Sequence, residues 1–186
     1  MNVLMINGSP RGNGNTAIAL REMKNVFAQE GIEVTELNVG AKAVRGCIAC
    51  NKCTELGKCV FDDAVNEAAP LLAKADGVVV ASPVYYASAN GNLISFLDRL
   101  FYSSRCDLTM KVGASVVCAR RGGCSATFDE LNKYFTISGM PLASSQYWNS
   151  IHGRLPGEAE QDEEGKQTMR ALARNMAFLM KSITLG

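Results

Sequence analysis

Four cysteines fall within thirteen residues, spaced Cys47-x2-Cys50-x2-Cys53-x5-Cys59, with Arg45, Lys52 and Lys58 close by. Nearby positive charge favours the thiolate, the form of cysteine that binds metal or attacks. Structural zinc sites commonly pair two Cys-x2-Cys knuckles across a longer loop, whereas three cysteines at successive x2 spacing suit a cubane iron-sulfur cluster better. The bacterial ferredoxin run ends x3-Cys-Pro. Here the last spacer is five and Val60 follows, so that match is partial. From the residues alone, two readings stay open: four ligands of one cluster, or thiols, free or joined in a local disulfide.

A second group of residues suits a phosphate. Gly8-Ser9-Pro10-Arg11-Gly12-Asn13-Gly14-Asn15-Thr16 combines flexible glycines, hydroxyl and amide donors and one guanidinium. Amides at a helix N-terminus carry partial positive charge, Ser9, Asn15 and Thr16 can donate hydrogen bonds, and Arg11 adds a forked, charged donor. Gly12-x-Gly14-x-x-Ala17 imitates the dinucleotide fingerprint but starts six residues beyond Ile6, too far from the strand. No Gly-Lys-Ser/Thr follows, which excludes a Walker A loop. The bland alternative is a solvated turn capped by Thr16.

Positioning these groups requires strands and helices in alternation. Val3 to Ile6, Ile32 to Leu37, Gly77 to Ala81, Val112 to Ala119 and Leu142 to Tyr147 read as strands. Between them lie helical patterns: Ala19, Met23, Val26 and Phe27 ending near Gly31; Asp62 to about Ala75, with a bend at Pro70; Asn92 to Tyr102; and Phe128 to Ile137. A last helix spans about Glu163 to Ser182, entered through the acidic run Glu158, Glu160, Asp162, Glu163 and Glu164. This is an α/β pattern for one doubly wound, five-stranded parallel sheet of flavodoxin type, with helices on both faces. Residues 1–186 then form a single domain with the cysteine-rich loop 45–61 inserted after the second strand. Ligands belong beyond the carboxyl ends of the strands.

Composition narrows the partners. Nineteen basic against eighteen acidic side chains leave +1, too little for a nucleic-acid footprint. No apolar run approaches the ~18–20 residues of a membrane span, and the N-terminus lacks the features of a signal peptide. The reading is a cytoplasmic protein with neither nucleic acid nor membrane as partner. Seven cysteines then fit redox, metal or buried-thiol roles better than a secreted disulfide framework, and Cys106, Cys118 and Cys124 read as buried or half-buried thiols.

Gly-Ser-Pro-Arg and Gly-Asn-Thr at the first turn resemble the NAD(P)H-dependent FMN reductase family of flavodoxin-fold proteins. So do Ala81-Ser82-Pro83-Val84-Tyr85-Tyr86, Arg120-Arg121-Gly122-Gly123 and Tyr147-Trp148-Asn149. The resemblance implies an FMN phosphate held by Ser9, Arg11, Asn13, Gly14, Asn15 and Thr16, with the ring between the later loops. Pro83 and Val84 would meet its polar edge, and Tyr85 and Tyr86 would wall it. Gly122 and Gly123 would allow close backbone approach, while Arg120 or Arg121 would offset negative charge on reduced flavin or hold the 2′-phosphate of NADPH. A surface arginine pair with no ligand is the plain alternative. The cysteine segment resembles the iron-sulfur flavoprotein branch, implying a [4Fe-4S] cluster on Cys47, Cys50, Cys53 and Cys59 next to FMN.

The activity implied is an FMN-dependent oxidoreductase passing electrons from NAD(P)H to a small acceptor such as a flavin or quinone. Reduced ferredoxin is the donor if the cluster is real. A flavodoxin-type carrier would benefit from stronger negative charge for steering, and a cluster-based sensor would oxidise little NAD(P)H. His152, the only histidine, is expected with Trp148 in a loop after the fifth strand and receives no catalytic role. An exposed flavin loop there would suit a homodimer or homotetramer.

Overall fold

The computed structural model describes residues 1–185, which build one all-parallel sheet. Its strands are β1 (Asn2–Asn7), β2 (Glu33–Asn38), β3 (Gly77–Pro83), β4 (Val112–Ala119) and β5 (Ser150–His152), in the order β2-β1-β3-β4-β5. The helices are α1 (Asn15–Gln29), α2 (Cys53–Leu56), α3 (Ala64–Lys74), α4 (Gly91–Ser103), α5 (Cys124–Ile137) and α6 (Glu163–Leu185). This is the flavodoxin-like order, whose direction reverses between β1 and β3 and opens a crevice beyond their carboxyl ends.

Both faces of the central strands are covered, which is why they are apolar without alternation. Val3, Met5, Val79, Ala81, Ala114 and Val116 pack with residues of α1 and α6. Leu4, Ile6, Val78, Val80 and Val117 pack with residues of α3, α4 and α5. At the edge, β2 is only half-buried and carries Glu33, Thr35 and Glu36, side chains that discourage further strand pairing. Pro70 lies inside α3 without ending it, the helix continuing to Lys74. Among the described residues no helix is long and apolar enough to cross a membrane.

The fifth strand is not where its apolar residues suggest. Leu142 makes only an isolated bridge to Gly113, and β5 begins at Ser150, paired with Val117. In between, the chain loops away from the sheet, leaving Tyr147 and Trp148 exposed. Asn149 brings it back: its amide donates to the Ser115 carbonyl at 3.0 Å, and its own carbonyl accepts from Val117 N at 3.0 Å. A buried side chain thus satisfies the β4 carbonyl that a continuous strand would have paired. As a consequence His152 ends β5 itself and is not in a loop after it.

Candidate functional site

The crevice beyond β1, β3 and β4 is an open cleft of about 190 Å³ lined by Ser9, Arg11, Gly14, Asn15, Thr16, Pro83, Val84, Tyr85, Cys118, Ala119, Arg120, Gly153 and Arg154. Helix α1 opens at Gly14 with no side-chain cap, so its first amides are left for an acceptor in the cleft. Ser9 is buried and shapes the turn. Its amide donates to Asn7 Oδ1 at 2.9 Å, and its hydroxyl meets both the amide and the carbonyl of Arg11 at 3.2 Å. Arg11, Arg120 and Arg154 bring three cations to this cleft. Thr16 is buried and reaches the Cys118 thiol, so it does not cap α1.

Several sequence-derived assignments are redistributed. Asn15 spends its side chain on the 153–159 segment, donating to Leu155 O at 2.9 Å and accepting from Gly157 N at 2.9 Å and Ala159 N at 3.2 Å. It is a strut that seats Gly153 and Arg154 on the cleft, which Asn15 also lines. Asn13, Tyr86, Arg121, Gly122 and Gly123 do not line the cleft. Tyr86 is fully exposed. Gly123 has φ +90°, and a Cβ there would fall 2.9 Å from Val84 Cγ1, so its close approach is to the loop after β3. Cys118 and Arg154 were missed, because only the assembled sheet brings the end of β4 and the segment after β5 to the first loop.

The loop after β3 carries backbone strain. Tyr86 and Ala87 have φ of 53° and 59°, and Tyr85 and Ser88 exchange backbone hydrogen bonds of 2.9 and 3.1 Å around them. Left-handed conformation at two successive non-glycine residues costs energy that surrounding contacts must supply. Glu130 of α5 supplies them through Ser88 Oγ and the Ala89 amide.

The four clustered cysteines line one shallow pocket with Ile48, Val60, Phe61, Tyr102 and Arg99. Cys53 is buried at the start of α2, Cys59 is half-buried, and Cys47 and Cys50 are exposed. No three His, Cys, Asp or Glu side chains among the described residues close on a single ion. A cubane takes one thiolate on each of four irons, and four thiols on one pocket supply that donor type and number. Two donors already point at its sulfurs: Ala49 N at 3.5 Å from Cys47 Sγ and Arg99 Nε at 3.3 Å from Cys59 Sγ.

Arg99 is the residue the sequence reading overlooked. It is 1% exposed on α4 and grips both oxygens of Asp63 at 2.7 and 2.9 Å. Burial works against the Asp63 charge, yet the hydrogen bonds from Arg99 and Val65 and the charges of Arg99 and Lys42 hold its carboxyl below the usual value. The signal was present, since Arg99 falls at helical spacing from buried Phe96 and Ser103, where a charge is unexpected. On the other side of the sheet, burial and the charges of Cys124 and Asp162 outweigh the Thr16 hydrogen bond and push the Cys118 thiol up to about 12. Cys124 Sγ lies 3.7 Å from His152 Nε2.

Fold and cleft together define a flavodoxin-like protein whose first turn presents uncapped helix amides to the cleft. The chain belongs to the NADPH-dependent FMN reductase family, whose pattern matches residues 1–154. It is 34% identical to an iron-sulfur flavoprotein of Methanocaldococcus jannaschii, over 98% of this chain and 99% of that one. With an iron-sulfur flavoprotein of Methanosarcina thermophila it shares 30% identity over 98% and 97% of the two chains. Among solved structures, RosB with a bound riboflavin-5′-phosphate derivative superposes with TM-score 0.80 at 15% identity, covering 100% of this chain and 81% of that one, a likeness of fold.

Proposed function

We propose that this protein is a single-domain, FMN-dependent electron-transfer oxidoreductase that also holds a [4Fe-4S] cluster on Cys47, Cys50, Cys53 and Cys59. The observation that carries the reading is the convergence of all four clustered cysteines on one pocket, in a chain of an FMN reductase family. When bound, FMN supplies two-electron chemistry and the cluster one-electron transfer. The chain does the positioning. The uncapped amides of α1 with Arg11 hold a terminal phosphate, and Asn15 braces the segment bearing Arg154. Pro83, Val84 and Tyr85 bound the ring, and Arg120 offsets charge that gathers beside it.

Reduced ferredoxin is the donor that suits a site handling single electrons, with a small acceptor at the open cleft. Direct reduction by NAD(P)H is the second reading, favoured by Arg120 and Arg154, whose guanidiniums suit a nucleotide phosphate. Exposed Tyr147 and Trp148 support a homodimer or homotetramer, to be read by analytical ultracentrifugation. Anaerobic reconstitution followed by iron, sulfide and flavin analysis tests the cofactors, with about four irons and four sulfides per chain and FMN expected. Mixing the reconstituted protein with reduced ferredoxin, NADPH or NADH identifies the donor. Recovery of FAD alone, or flavin with no iron, overturns the corresponding part.

A further inference from the structure

We propose that Arg99 is the positioning residue of the cysteine segment and that its Nε–H, bonded to Cys59 Sγ, sets the potential of the cluster held there. The second half rests on the cluster reading above. A fully buried guanidinium is costly unless every N–H is matched. Arg99 matches all five. Nε donates to Cys59 Sγ at 3.3 Å; Nη1 donates to Arg45 O at 3.2 Å and Asp63 Oδ2 at 2.7 Å; Nη2 donates to Phe61 O at 3.4 Å and Asp63 Oδ1 at 2.9 Å. Every one of these acceptors lies between residues 45 and 63, and none belongs to the sheet or to another core helix. The segment has little regular structure of its own, only the single turn of α2. Arg99 therefore gathers the ends of the segment, Arg45 and Cys59 to Asp63, while Tyr102 and Arg105 hold Asn51, Cys53 and Thr54 between them.

Two further contacts strengthen the arrangement. The Phe61 ring is approached by the guanidinium carbons of Arg99 at 5.1 Å and Arg45 at 4.8 Å. Asp63 accepts the Val65 amide at 3.1 Å as the N-cap of α3, so the fork also ties the end of the segment to a core helix. Arg99 itself stands about 12 Å along α4 from Gly91, at ~1.5 Å per residue, and α4 begins where the loop after β3 ends. One rigid element thus carries the cysteine segment at one point and the rim of the cleft at another.

The chemistry follows from how the charges are partnered. Asp63 balances most of the guanidinium charge, so what reaches the sulfur is chiefly the directed N–H. A hydrogen bond to a thiolate strengthens as negative charge on the sulfur grows, so it favours the reduced form of a bound cluster and raises its potential. Removing the bond should lower that potential. Removing the Asp63 charge while keeping the arginine should raise it, because the guanidinium is then unbalanced.

The test compares the parent with Arg99→Lys, Asp63→Asn and the double variant Arg99→Met with Asp63→Asn, which leaves no orphaned charge. Hydrogen exchange of the metal-free proteins should show amides 45–63 opening at least about tenfold faster in both Arg99 variants, while β1 and β3 stay protected. EPR-monitored titration of the reconstituted proteins should shift the cluster equilibrium by about tenfold, or 59 mV for one electron. The shift is toward oxidised in both Arg99 variants and toward reduced in Asp63→Asn. Unchanged exchange and potential at full iron content overturn the proposal and leave the cluster standing. A parent protein that takes up no iron overturns the cluster reading and the redox half with it, while exchange in the metal-free chain still decides the positioning role.

Discussion

Glu130 accepts hydrogen bonds from the Ser88 hydroxyl at 2.9 Å and, through Oε2, from the Ala89 amide at 2.8 Å, clamping the middle of α5 to the loop after β3. The clamp sits next to the left-handed pair Tyr86 and Ala87. Glu130→Ala should release that turn into lower-energy conformations and weaken FMN binding about tenfold through disorder of Tyr85. Fluorescence titration with FMN reads the affinity. Ala87→Gly in the Glu130→Ala background should recover part of the loss, since glycine adopts positive φ without strain.

Arg11→Ala should weaken FMN binding by about 1–3 kcal/mol, the worth of a charge-assisted contact, with the fold intact. Arg154→Ala should weaken it in the same range, whereas Arg121→Ala should leave it unchanged because that side chain does not line the cleft. Isothermal titration of the flavin-free protein distinguishes the three. Equal affinity in all of them would place the phosphate elsewhere.

Replacing Cys47, Cys50, Cys53 or Cys59 singly by Ser should lower the iron content and diminish the broad visible absorption of the reconstituted protein, while FMN stays bound in its separate cleft. The same change at Cys106 or Cys124 should do neither. Iron assay and absorption spectra of the six variants decide the matter.

Alkaline pH should expose the buried Cys118 thiol as a stability term. The unfolded chain ionises it from about 9.0, while burial in the folded chain keeps it protonated to about 12. Its contribution is complete below the lower value and is lost as pH rises through the upper one, at about 1.4 kcal/mol per pH unit in between. Cys118→Ala should flatten that part of the curve. Urea unfolding at successive pH values is the measurement, and identical slopes in parent and variant would refute the assignment.

Asn149→Ala should cost about 1–3 kcal/mol, because the Ser115 carbonyl inside the sheet loses its donor. The loss should appear as a lower urea midpoint with an unchanged slope. Trp148→Ala, one residue earlier and exposed, should have little effect on the same curve.

The order of helices and strands was legible because each central strand is apolar throughout and each helix shows its stripe at 3.6-residue spacing, both consequences of burial that composition records locally. That the first turn lines the cleft was legible for a related reason: glycines, Ser9 and Arg11 are contiguous between a strand and a helix, and such turns lie at the carboxyl ends of the strands. Likewise the four cysteines announced themselves by spacing along thirteen residues. Tertiary structure alone decided what depends on contacts across the chain. Apolar Leu142 to Tyr147 imitates a strand, but the sheet closes through Asn149, whose role exists only opposite Ser115. Asn15 takes on a bracing role that only the segment 140 residues onward reveals, by accepting and donating hydrogen bonds there. Arg99 looks like an ordinary helix arginine until residues 45 to 63 wrap around it, because a guanidinium's five donors are assigned by geometry in space and not by neighbours in sequence.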